Sequence, residues 1–160
     1  MSQVELRAVE DGDLDAFFAH LQDPVARRMA AFVGKDSGDR RAFDARWARI
    51  RSDPGVTVRT ITLDGGLAGH VASFRKGGDL EVTYWVERET WGRGVASSAL
   101  RLFLEFMTER PLHGRAAKDN RASIRVLEKC GFQQVGEERG FANARGEEID
   151  EVVMRLDAPR

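Results

Sequence analysis

The spacing of apolar positions changes period several times along the chain. VELRAV (Val4–Val9) alternates and predicts a first strand. Leu14, Phe17, Phe18 and Leu21 then fall on one helical stripe behind Asp11 or Asp13 as a cap, and Pro24 predicts the end of that helix. FVGKDSGDR is polar and glycine-bearing and predicts a loop. A second helix carries Phe43, Trp47 and Ile50 and stops at SDPG (Ser52–Gly55). Period two returns in VTVRTITL (Val56–Leu63) and LAGHVASFR (Leu67–Arg75), a hairpin around DGG. It continues in LEVTYWVE (Leu80–Glu87), a fourth strand with Leu80, Val82, Tyr84 and Val86 on one face and Glu81, Thr83 and Trp85 on the other. Val95–Glu109 is apolar on most sides and predicts a deeply buried helix ended by Pro111. LHGRAA predicts a short strand, NRASIRVLEKCGF a helix closed by Gly131, and QQVGEER and EEIDEVVMRL the last two strands. These elements predict one mixed α/β domain over residues 1–160. Its single sheet is mostly antiparallel, with about six to seven strands flanked by about four helices.

The join between the fourth strand and the long helix stands out. In WGRGVASS (Trp91–Ser98) glycine, alanine and serine leave the backbone nearly bare where a helix begins. A helix N-terminus exposes unpaired N–H groups and partial positive charge, so a phosphate can approach there. The same spacing also suits a plain tight turn, and the pattern alone does not separate the two. A dinucleotide fingerprint is rejected, because it requires an early parallel strand and an acidic residue after the next one; the G-x-x-x-x-G-K-[ST] loop is absent.

Composition narrows the classes. A length of 160 residues, 42% hydrophobic and 32% charged, describes a globular domain with a core, and no apolar run has the length of a membrane span. The formal net charge of −1 gives no nucleic-acid footprint. Cys130 is the sole cysteine, which excludes an internal disulfide; with a first segment unlike a secretory signal, it leads to the expectation of a cytoplasmic protein. His20, His70 and His113 are too scattered for a zinc pattern, and no metal is expected.

WGRGVA (Trp91–Ala96) resembles the R/Q-x-x-G-x-G/A loop of the GNAT superfamily of acetyl-CoA-dependent N-acetyltransferases. NRASIRVLEKCGF (Asn120–Phe132) resembles that family's second segment, N-x-x-[AS]-x(7)-G-F. The two motifs lie at the right separation, and the details look most like the subgroup that includes the ribosomal-protein N-terminal acetyltransferases. The resemblance implies the GNAT fold and transfer of an acetyl group to a primary amine, either a protein N-terminus or a small molecule, with a homodimer left open. It implies a bulged fourth strand that splays from the fifth, with the pantetheine arm of coenzyme A between them. Trp85 and Val86 would line the arm. Trp91, Gly92, Arg93, Gly94, Val95, Ala96 and Ser97 would hold the diphosphate, and Asn120 would contact the arm. Many members carry a tyrosine as thiol acid where this chain has Leu127; the resembling subgroup offers a serine, here Ser123. A non-catalytic acyl-CoA sensor is the alternative that the missing tyrosine suggests.

Other residues read two ways. Glu81 is either the base that takes the amine proton or an exposed strand-end glutamate. Asn120 also suits a plain helix cap. Arg121, Arg125 and Lys129 either attract phosphates or form a solvated face. Alternation puts Tyr84 in the core layer, away from Glu81, so it is not expected to be the general acid. His70 has the intrinsic pKa of a base, but nothing in the pattern selects it.

Overall fold

The computed structural model of the protein describes residues 2–159. Among them, seven strands form one sheet in the order β1-β2-β3-β4-β5-β7-β6. β1 is Val4–Arg7, β2 Thr57–Leu63, β3 Gly66–Lys76 and β4 Asp79–Val86; β5 is Leu112–Ala117, β6 Gln133–Ala142 and β7 Glu147–Leu156. The helices are α1 (Asp13–Gln22), α2 (Pro24–Ala30), α3 (Arg40–Ser52), α4 (Val95–Phe106) and α5 (Arg121–Lys129), with a 3-10 turn over Arg88–Thr90. No helix among the described residues is long and apolar enough to cross a membrane.

Three expectations need correction here. Pro24 does not merely stop the first helix. It occupies the first turn of α2, where its missing N–H costs nothing, and the Asp23 side chain caps that helix by accepting from the Ala26 N–H at 2.9 Å. Three helices therefore precede β2, and five flank the sheet. The long helix ends at Phe106 rather than Glu109 and is not buried all round: Val95, Ala99, Leu100 and Phe103 face the core, while Arg101, Glu105 and Phe106 face out. The exposed Phe106 ring is covered in part by the Arg59 guanidinium, 5.0 Å from its centroid. Finally, β4 carries no bulge. Its register against β3 runs unbroken from Gly69↔Val86 to Lys76↔Asp79.

Alternation in β4 works as expected. Leu80, Val82 and Val86 enter the main core with Ala99, Leu100 and Phe103 of α4 and Leu127 of α5, and Tyr84 packs against that cluster. A separate aromatic cluster, Phe17, Phe43 and Trp47, covers the opposite face through α1 and α3. Asp13 ties α1 to the sheet. Its carboxylate accepts from Arg7 at 2.8 and 2.9 Å, from the Glu10 N–H at 2.9 Å and from the Thr60 hydroxyl at 2.8 Å. With the Arg7 guanidinium against it, the Asp13 carboxyl is held down at about 2.

Candidate active site

The sheet is incomplete at one place. β4 and β5 run parallel but pair only at Glu81↔His113 and Val82↔Gly114. From Thr83 onward the β4 edge facing β5 has no strand partner. The Glu87 N–H donates to the Ala68 carbonyl on β3, so by alternation Tyr84 and Val86 turn their backbone groups toward the gap. The Val86 carbonyl is taken by the Trp91 indole N–H at 3.0 Å. The backbone groups of Tyr84 and the N–H of Val86 are then left without a strand partner. The splay matches the expectation for the fourth and fifth strands without the expected bulge.

The gap opens onto the start of α4. Gly94 lies in the left-handed region (φ 74°, ψ 14°) and begins the helix with no side-chain cap; Gly92 is also left-handed (φ 80°). Gly92 and Gly94 have open space where a side chain would stand, the nearest atom to a Gly94 Cβ being Ser97 Oγ at 4.0 Å. Bare backbone, first-turn N–H groups and room beside them fit a diphosphate. The side chains nearby look elsewhere. The Ser97 hydroxyl is buried against the Gly94 carbonyl at 3.2 Å, and Arg93 reaches the Ser2 hydroxyl at 3.0 Å. Val95 is core, Ala96 is half-buried and Trp91 is exposed. What this loop presents to the open space beside it is therefore mainly backbone.

Asn120 and Ser123 stand at the start of α5, on the other wall of the gap. The Asn120 amide oxygen accepts from the Ser123 N–H at 3.3 Å, so the residue is a helix cap. Its amide nitrogen donates to the Met29 carbonyl at 3.2 Å and ties α2 to this wall. The end of α2 and the segment after it are pinned further by Arg145 to the Arg28 carbonyl (2.7 Å) and by Asn143 to the Val33 carbonyl (2.7 Å). Between them Ala31 is fully buried with φ 66° and ψ −55°, a γ-turn closed by Phe32 N–H to the Ala30 carbonyl at 2.7 Å.

Leu127 lies wholly in the core, directly over Gly114, where any Cβ would stand 2.8 Å from the leucine. A phenol does come to this wall, but from the strand. The Tyr84 hydroxyl is 2.7 Å from Ser123 Oγ and 3.3 Å from the Ser123 carbonyl. Burial pushes the phenol up to about 12. Sequence reasoning missed this pair. Alternation gave the face of Tyr84 correctly, and its hydroxyl reaches past the core row to the helix above, a distance no one-dimensional pattern contains.

On the opposite face, Glu81 is only 5% exposed. Arg115 of β5 lies across it, with Nε 3.3 Å from both carboxylate oxygens. The same guanidinium bonds Glu138 at 2.6 Å and Glu151 at 3.1 Å. Arg115 was not singled out by the sequence; its alternation with Glu81 across neighbouring strands was the available signal. Trp85 and His70 face each other across β4 and β3. His70 lies 4.8 Å from Phe17 and 5.0 Å from Trp47, ring to ring, and burial, with His20 and Arg46 nearby, drives it down to about 3. Arg121, Arg125 and Lys129 are exposed, and Cys130 is half-buried, its thiol 3.8 Å from the Ser97 carbonyl.

Comparison with known proteins bears on this arrangement. A family model described as an acetyltransferase (GNAT) domain matches residues 3–133. The uncharacterized N-acetyltransferase p20 of Bacillus licheniformis is 26% identical over 95 residues, 57% of this chain and 53% of that protein, so the match spans about half of the relative's length. Among solved structures, RimJ of Mycobacterium smegmatis in complex with CoA-disulfide superposes with a TM-score of 0.82 at 22% identity, covering 97% of this chain and 82% of that one. A ribosomal-protein-alanine N-acetyltransferase from Brucella melitensis gives 0.80 at 21%, covering 96% and 99%. The spermidine N-acetyltransferase of Vibrio cholerae in complex with CoA and spermine gives 0.79 at 17%, covering 97% and 95%. At these identities the structural likeness is one of fold.

Proposed function

We propose that this chain, which belongs to the GNAT acetyltransferase family, moves an acetyl group from acetyl-CoA to a primary amine. The observation that carries this reading is the β4 edge from Thr83 to Val86 without a strand partner, followed after the Arg88–Thr90 turn by the uncapped, glycine-bearing start of α4. An extended amide-bearing arm can complete the sheet along that edge, and a diphosphate can rest on the first turn of α4. Gly92, Arg93, Gly94, Val95, Ala96 and Ser97 serve through backbone, with Trp91 holding the loop to β4 and Trp85 and Val86 belonging to the strand beside the arm.

The donor supplies a thioester carbonyl to the gap. A free N–H on β4, at Tyr84 or Val86, faces the region where the carbonyl oxygen gains charge and is suited to stabilise it. Ser123 on the α5 wall donates a hydrogen bond to the departing sulfur. Asn120 holds Ser123 and the arm-facing start of α5 in place. The amine approaches from the other face of the sheet, where Glu81 lies at the floor. An amine with a pKa near that of lysine, ~10.4, must shed a proton before it attacks. Arg115 lies across Glu81 and fixes its carboxylate, which can accept hydrogen bonds from an incoming ammonium; His70, held neutral far below its usual range, is a poor base by comparison. The carboxylates of Glu81, Glu138 and Glu151 outnumber the single Arg115 guanidinium among them and favour a cationic acceptor.

The test is acetyl-CoA turnover against a panel of primary amines, including spermidine, spermine and alanine-initiated peptides, with free thiol as the readout. Acceptor-dependent thiol release is expected. Tight acetyl-CoA binding with only slow hydrolysis across the panel would instead identify a non-catalytic acyl-CoA-binding module.

A further inference from the structure

The hydroxyl pair on the α5 wall has a role that the proposed chemistry does not yet use. We propose that Tyr84 is the positioning residue for Ser123: its phenol holds the serine oxygen so that the serine proton is aimed into the gap, at the sulfur of the leaving thiol. This rests on the reading that Ser123 faces that sulfur.

Ser123 is fixed at two points. Its N–H is held by the Asn120 amide oxygen at 3.3 Å, and its Oγ stands 2.7 Å from the Tyr84 hydroxyl. A serine hydroxyl alone turns about its C–O bond and can satisfy itself on nearby carbonyls. Beside a phenol the choices narrow. The phenol proton has two acceptors, Ser123 Oγ at 2.7 Å and the Ser123 carbonyl at 3.3 Å, and the nearer is the better bond. When the phenol donates to Oγ, the serine proton is not used in that bond and is free to point elsewhere. Two hydrogen bonds in series, phenol to serine to sulfur, also polarise each other and strengthen the second. Burial keeps Tyr84 protonated across the working range, so it acts as a donor throughout.

No proton passes through the tyrosine. The amine nitrogen forms the new C–N bond with its lone pair. The C–S bond breaks with its electron pair going to sulfur, and the Ser123 O–H stabilises the thiolate as it forms. The proton lost from nitrogen balances the one that sulfur then takes from solvent, and both hydroxyls end as they began.

The experiment compares wild type, Tyr84→Phe, Ser123→Ala and the double variant, each with acetyl-CoA and with its selenoester analogue, whose selenolate leaves more readily and needs less help. Melting temperatures establish that each variant is folded, and Ser123→Thr serves as the conservative rescue. Tyr84→Phe is expected to lower kcat by about tenfold, the weight of one hydrogen bond, with KM for acetyl-CoA within about twofold. The double variant is expected to be no slower than Ser123→Ala alone, and the loss in Tyr84→Phe to shrink to about twofold or less with the selenoester. A loss that is the same for both donors, or losses that multiply in the double variant, would overturn the positioning role. If Ser123→Ala is slow and Tyr84→Phe is not, this inference fails while the placement of Ser123 stands. If Ser123→Ala is as fast as wild type, both fall.

Discussion

The two edges of β4 are built from one strand and behave oppositely. Toward β3, all eight residues pair in unbroken register. Toward β5, two residues pair and the rest have no strand partner. The closed side is backed by α1 and α3, with the Phe17–Phe43–Trp47 cluster and the Asp13 network behind it. The open side is bounded by the ends of α4 and α5, whose exposed backbone and short polar groups would do little for an empty protein. Stability should therefore reside on one side of β4 and ligand affinity on the other, and substitutions can be chosen to separate them.

The largest effect is expected at the open side. Gly94→Glu places a side chain in a left-handed backbone position and a negative charge beside the first turn of α4. Acetyl-CoA affinity, measured by calorimetry, should fall by about a hundredfold or more (~2.7 kcal/mol), because charge repulsion and lost approach act together. Wild-type affinity in a folded variant would break the comparison at its stronger end.

On the closed side, Asp13→Ala leaves Arg7 and Thr60 without their buried partner. Denaturant unfolding should show a loss of about 3 kcal/mol, while acetyl-CoA affinity in the folded protein stays within about twofold. Acid should weaken this same side, with a sign that can be worked out. The Asp13 carboxyl is depressed to about 2 from 3.8, so its contribution is present above 3.8 and is lost as pH falls toward 2. His70 is depressed from 6.5 to about 3, so the folded state stays neutral while the unfolded chain takes up a proton; stability then falls as pH drops from 6.5 toward 3. His70→Gln should flatten the higher window and leave the lower one.

Glu81 belongs to the strand but, in the proposed reaction, faces the acceptor. Glu81→Gln is expected to lower kcat by about tenfold, with acetyl-CoA affinity unchanged. An unchanged rate would move the amine-side role away from this residue. The smallest effect is expected from Asn120→Ala. It removes a helix cap and the tie to Met29, for a loss of about 1 kcal/mol in unfolding and a small rise in KM for acetyl-CoA. Stability and KM moving together there would mark the point where the two sides of the molecule touch.

Much of the closed side was legible in the sequence, because it rests on local rules. Period two and turn residues placed the β2–β3–β4 meander within a residue or two, and β5 and β7 fall where LHGRAA and EEIDEVVMRL stand. The glycine loop and the helix behind it were legible for the same reason. Pro24 was misleading because the same residue ends one helix and begins the next, and only the Asp23 cap distinguishes the two. The open side was harder. Alternation assigned Glu81 and Tyr84 to opposite faces correctly, but their partners come from β5 and α5. Arg115 over Glu81 and Ser123 against Tyr84 are separated from them by 34 and 39 positions. Such contacts depend on how strands and helices stack, which periodicity does not encode. The unbulged β4 teaches the same point: the gap lies where pairing with β5 stops, not at a defect in β4 that its own sequence would carry.

The central claim is that a ligand completes the free edge of β4. Amide hydrogen exchange at β4, resolved by residue with and without acetyl-CoA, tests it most directly. The Thr83 and Trp85 amides, directed to β3, should be protected in both states. The Tyr84 and Val86 amides should exchange quickly in the free protein and slow by about tenfold or more when acetyl-CoA binds. Binding that leaves Tyr84 and Val86 exchanging as before would contradict the account.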